Sequence, residues 1–127
     1  MIKEAYVSYK IAKLLKEKGF NEETTHWYNV KESLINDYPV TYRNFSNPEK
    51  VWLAPTHQMA CAWLRKKHFI IVVTPVLFNV EYENSKWGYD IWADDNLEVS
   101  SEDCSKPLAT YEEATEEALK YVLENQL

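Results

Sequence analysis

Apolar residues recur every three or four positions at three places along the chain, and they alternate or run together between those places. The first helical stretch carries Ile11, Leu14 and Leu15, with Ser8 placed as its N-cap. Lys13, Lys16 and Lys18 take its outer face and the negative end of its dipole. Gly19 then supplies the left-handed position after the helix, and Phe20 folds back against Leu15, as a Schellman motif requires. The second stretch starts at Thr56 as N-cap and runs to about Lys67. Ala60, Trp63 and Leu64 face inward, and Arg65, Lys66 and Lys67 sit at the end that favours positive charge. The third opens on Thr110-Tyr111-Glu112-Glu113, a capping box, and buries Ala114, Ala118, Tyr121 and Val122.

Between the helices the pattern changes to β-branched and aromatic runs. Residues 24–30 read as a strand, Asn36-Asp37-Tyr38-Pro39 as a turn, and 40–45 as a second strand followed by a turn at Ser46-Asn47-Pro48. Val51-Trp52-Leu53 is a short strand or extended lead-in. Phe69 to Val73 is a continuous apolar run that reads as an interior strand, and Pro75 implies a bulge or an edge. Val76, Phe78, Val80 and Tyr82 alternate with polar neighbours, and Asn84-Ser85-Lys86 makes a hairpin loop. Trp87, Tyr89 and Ile91 then share one face of the return strand, opposite Gly88, Asp90 and Trp92. Asp94 to Pro107 reads as an acidic surface connection.

Runs of strands without strict β–α alternation favour an α+β fold: one antiparallel sheet of three to five strands with three helices packed mainly on one face. At 127 residues the chain fits a single domain, 1–127, with Leu14, Leu15, Trp63, Ile71, Val73, Ala118 and Val122 expected in its core.

Composition narrows the chemistry. No apolar run approaches membrane-spanning length, and the start, Met1-Ile2-Lys3-Glu4-Ala5, lacks a signal-peptide pattern. Two cysteines in unrelated contexts make no disulfide framework, so the expected setting is a reducing cytoplasm. The net charge of −6 is unevenly spread: residues 1–20 carry +3, whereas residues 90–127 hold eleven acids against two lysines. Such a chain gains little from neutralising phosphates, so duplex nucleic acid is not an expected ligand. The only glycines, Gly19 and Gly88, are far apart, which excludes a Walker loop, a dinucleotide fingerprint and a nucleophile elbow.

The remaining candidates are weak. His57 and Cys61, four residues apart, share a helix face, but a metal site needs further ligands, and no cofactor is expected. The preferred reading leaves His57 exposed in the first helical turn and Cys61 as a small core or near-core residue, too enclosed to act as a nucleophile. Asp94-Asp95-Asn96-Leu97-Glu98 lacks the glycine and distal glutamate of a calcium loop. Asp90, mid-strand, is expected on a face open to water.

Four segments together resemble a known group. The Tyr-Val-Ser start, Ala-Lys-Leu-Leu-Lys-Glu-Lys-Gly-Phe (12–20), Ala-Pro-Thr-His-Gln-Met-Ala-Cys-Ala-Trp-Leu-Arg (54–65) and Glu-Glu-Ala-Thr-Glu-Glu-Ala-Leu (112–119) look like small proteins of phages and prophages in gut Bacteroides-type bacteria. The likeness covers the three helices, under half of the chain. It implies a bacterial or phage cytoplasmic setting and brings no functional residue, because that group has no assigned activity.

Two kinds of function fit. The first is a non-enzymatic interaction protein, a phage-type accessory factor that meets a basic host protein. Its surface would be Trp87, Trp92, Asp94, Asp95, Glu98, Glu116 and Glu117, acids for complementarity and aromatics as anchors. The second is a small-ligand binder with an aromatic groove where helices meet sheet, formed by Trp27, Tyr28, Trp52, Tyr89 and Asp90. The expected state is a monomer or weak homodimer, and an enzyme ranks third because no acid–base or nucleophile set is recognisable.

Overall fold

The computed structural model describes residues 4–76, 86–94, 96–100 and 108–127. Helix α1 (Tyr9–Glu17) is followed by β1 (Thr24–Tyr28), β2 (Leu34–Val40), β3 (Trp52–Leu53), α2 (His57–Arg65), β4 (Phe69–Val76), β5 (Lys86–Ala93), β6 (Asn96–Ser100) and α3 (Tyr111–Asn125). The fold is α+β. Its strands form two three-stranded antiparallel sheets, ordered β2-β1-β3 and β4-β5-β6. Helices α2 and α3 pack on the second sheet, while α1 packs on β3 and α3. One core cluster joins both sheets to all three helices through residues such as Leu15, Leu53, Leu64, Ile91 and Leu119.

The helix ends form as their residues dictate. Ser8 Oγ accepts the Ile11 N–H, and Thr56 Oγ1 accepts that of Met59 at 3.1 Å. At the end of α1, Gly19 stands at φ 93°, its N–H on the Lys16 carbonyl (3.1 Å) and that of Phe20 on Leu15 (2.9 Å). This is the expected pair of Schellman bonds. Thr110 caps α3 through the Glu113 N–H, but the Glu113 carboxylate reaches one residue further than a capping box, to the Ala109 N–H at 3.2 Å. Helix α2 ends at Arg65, two residues early, because the chain turns through His68 at φ 73° into β4.

Several strand expectations are corrected. Residues 36–39 lie inside β2 and are not a turn. Pro39 is tolerated there because β2 is an edge and its pairing with β1 is irregular between Thr24 and His26. The reversal comes earlier, where the Asn29 side chain accepts the N–H groups of Lys31 (2.9 Å) and Ser33 (3.1 Å) and Glu32 adopts φ 59°. Past Val40 the chain coils into a single 3-10 turn, Tyr42–Asn44, closed by the Asn44 side chain on the Thr41 N–H. Phe69 to Val73 belong to an edge strand, not an interior one, and Ile70 and Val72 are 43% and 38% exposed on its outer face. Pro75 stays in register opposite Trp87, which an edge allows. Part of the supposed acidic connection is strand β6. The alternation expected over Phe78, Val80 and Tyr82, and the loop residues Asn84 and Ser85, fall outside the described residues.

Of the expected core, Leu15, Trp63, Ala118 and Val122 are buried, while Leu14, Ile71 and Val73 are half-buried against it. Lys16, placed on the outer face of α1 by its spacing, is instead half-buried. Its ammonium donates to the carbonyls of Pro48 (2.5 Å) and Val51 (2.7 Å) and lies about 5 Å from the rings of Tyr42 and Trp52. Burial lowers its pKa, opposed by the charge of Glu49. The Tyr42 hydroxyl beneath it accepts the Leu53 N–H at 3.0 Å, and burial pushes its pKa up to about 12. A phenol whose folded pKa is raised stabilises the fold below its unfolded value of about 10, and that contribution is lost as pH rises. Stability should therefore fall between about pH 10 and 12 in the wild type. A Tyr42→Phe variant should show a shallower fall in a denaturant series, with one fewer late-titrating tyrosinate at 295 nm (~295 nm being the usual tyrosinate band).

Candidate functional site

Three residues remote in sequence meet where the helices converge. Residues 5–7 run antiparallel to 55–57: the Val7 N–H bonds the Pro55 carbonyl at 3.0 Å and the His57 N–H bonds that of Ala5 at 2.9 Å. This places the N-cap of α1 beside the first residue of α2. From α3, the Glu116 carboxylate enters between them. Its Oε1 accepts the Ser8 N–H (2.8 Å) and lies 2.8 Å from His57 Nε2, while its Oε2 accepts the Ser8 hydroxyl (2.9 Å). The Ser8 oxygen in turn accepts the Ile11 N–H at 3.3 Å. Glu116 is thus a carboxylate at the positive end of α1, tied to all three helices.

His57 is buried, with 8% exposure, which corrects its expected place in solvent. The reason is local: the 5–7 segment covers the first turn of α2. An ionised carboxylate only accepts, so the ring nitrogen that faces it, Nε2, carries a proton. Nδ1 of the same ring is buried and has no hydrogen-bond partner among the described residues. The Glu116 charge reaches Tyr28 as well. Burial raises the Tyr28 pKa first and this carboxylate adds to it, while its hydroxyl donates to the Val7 carbonyl at 2.8 Å.

Two cavities open beside this junction and share Ala5, His57 and Glu112. The first, a groove of about 590 Å³ between α1 and α3, has Ile11 and Leu108 in its floor. Glu112, Glu113, Glu116 and Glu117 border it, against Lys10 and Lys120. The second, a cleft of about 450 Å³, lies between α2, α3 and β4. Ile71 and Val73 line it, which explains why neither is fully buried. His57, Cys61 and Arg65, one turn apart each, form its α2 wall. Burial pushes the Cys61 thiol up and Arg65 pulls it partly back, so the thiolate is disfavoured. Among the described residues no group of three or more His, Cys, Asp or Glu side chains is arranged to hold a metal ion.

The expected partner surface divides. Trp87 is half-buried, edge-on to Tyr111 with ring centres 5.4 Å apart, and its backbone pairs with Leu108, so it joins the start of α3 and the acids there. Glu117 is exposed on that helix, whereas Glu116 is committed to Ser8 and His57. Trp92 lies at the other end of β5, roughly 17 Å away at strand spacing, on the outer face opposite Ile70. Asp94, at φ 56° in the β5–β6 turn and 3.6 Å from His68, and Glu98 on β6 belong with Trp92. Asp95 is outside the described residues.

The five groove residues are not brought together. Trp27, Tyr28 and Trp52 lie on the first sheet, where Trp27 packs edge-on to Phe45 and donates to Asp37 at 3.2 Å, and Trp52 meets Tyr9 and Lys16. Tyr89 is buried in the core of the second sheet, and Asp90 is half-buried on that sheet's outer face opposite Val72. None of the five lines the two cavities.

Sequence reasoning missed the Ser8–Glu116–His57 junction. Ser8 was legible as a cap, but nothing local marks a carboxylate 108 residues away as its partner. Among the described residues no helix is long and apolar enough to cross a membrane. Comparison with known proteins finds no family model, no curated protein and no solved structure that matches this chain.

Proposed function

We propose that this chain is a non-enzymatic binding protein whose α1/α3 groove takes a basic segment of a partner protein. The setting inferred is cytoplasmic, as for a phage-type factor that engages a host protein. The observation that carries the reading is the groove itself: four glutamates against two lysines, around a partly apolar floor. Glu112 and Glu117 are exposed and make no ion pair with a described residue, so their charge is available to a ligand. The acids at the β5–β6 turn form a separate patch and serve as an internal control.

The test is binding of a short amphipathic lysine–leucine peptide, together with affinity capture from a bacterial lysate. The paired change Glu112→Gln and Glu117→Gln should weaken peptide binding on the order of tenfold, mainly through the association rate, and the difference should shrink as salt is raised. Asp94→Asn with Glu98→Gln should leave both readouts unchanged. Equal binding by the groove variant and the wild type at every salt concentration contradicts the reading.

A further inference from the structure

We propose that the cleft between α2, α3 and β4 is a second binding site, for a short free peptide of about three residues. It is distinct from the α1/α3 groove and does not depend on the reading given for that groove.

The two ends of the cleft differ in charge. The His57 N–H bonds the Ala5 carbonyl, so Glu4 stands at the N-terminal end of α2. Glu112 borders both cavities, as do Ala5 and His57, and so lies at the same end. Arg65 borders the cleft eight residues further along α2, about 12 Å away at 1.5 Å per residue. It makes no ion pair with a described residue. An extended chain rises about 3.3–3.6 Å per residue, so three residues span the distance with the ammonium among the glutamates and the carboxylate on Arg65. The Ile71 and Val73 side chains supply an apolar floor beneath. The volume of about 450 Å³ accommodates a ligand of this size. A single amino acid is too short to meet both ends, and a dicarboxylate or a diamine places like charges together at one of them.

The experiment is titration calorimetry with alanyl-leucyl-alanine, its N-acetyl form and its C-terminal amide, against the wild type and Arg65→Gln. The wild type should bind the free peptide saturably, and blocking either terminus should weaken binding on the order of tenfold. Arg65→Gln should bind the free acid and the amide alike, while retaining the lysine–leucine peptide in the α1/α3 groove. No saturable binding of the free peptide up to about 10 mM, a very weak association by any scale, overturns the proposal. So does equal binding of the three peptides, or an affinity for the free acid that Arg65→Gln leaves unchanged. Tighter binding of free leucine or of a dicarboxylate overturns it as well.

Discussion

Replacing Glu116 with alanine should lower stability by about 2–4 kcal/mol, far more than an average change on the face of a helix. The side chain is one-quarter exposed, and its two oxygens receive the Ser8 N–H, the Ser8 hydroxyl and His57 Nε2. Removing it leaves the capping residue of α1 and a buried imidazole N–H without acceptors, and unsatisfied buried donors are where the cost of a lost hydrogen bond concentrates. Urea denaturation should show a lower midpoint with an unchanged slope. Glu116→Gln keeps one acceptor oxygen and should lose about half as much. Glu117→Ala, one residue on and exposed, should stay within about 0.5 kcal/mol of the wild type. If Glu116→Ala proves no more costly than Glu117→Ala, the carboxylate is not a tie between helices.

Phe20→Ala should cost about 3–5 kcal/mol, the range for truncating a buried aromatic. Phe20 is almost fully enclosed and meets Trp63 edge-on with ring centres 5.4 Å apart, so the cavity left behind lies between α1 and α2. The two Schellman bonds use backbone atoms and survive the change, so helix content should be kept while the denaturation midpoint falls. Circular dichroism read beside the urea curve separates these effects. A loss below about 1 kcal/mol would mean the site collapses around the gap, as some core positions do.

What the sequence made legible is local. Caps at Ser8, Thr56 and Thr110 depend on a side chain and an N–H three residues on, and all three form. The Gly19-Phe20 stop forms for the same reason. Strand pairing is different. Pro75, read as a bulge or an edge, does stand in an edge strand, but Pro39, read as part of a turn, sits in one too, and edge position is a property of the sheet that no short window contains. The run Phe69 to Val73 reads as interior because it is continuously apolar, but its outer residues Ile70 and Val72 are exposed. β6 was overlooked because Asn96, Glu98 and Ser100 alternate with only two apolar residues. At the candidate site, charge placed the acids of α3 near a surface, yet it could not separate Glu116, drawn inward by Ser8 and His57, from Glu117, left outside. His57 was misread because burial at the start of a helix is decided by whatever segment crosses it, here residues 5–7.

The most direct test of the central claim is nitrogen–proton correlation spectroscopy of the wild type during titration with the lysine–leucine peptide. The α1/α3 groove predicts that the largest shifts fall on Lys10, Leu108, Glu112, Glu113, Glu117 and Lys120, which border it. Shifts centred instead on Trp92, Asp94 and Glu98 at the β5–β6 turn, or spread evenly over every acidic residue, would contradict a built site at the start of α3.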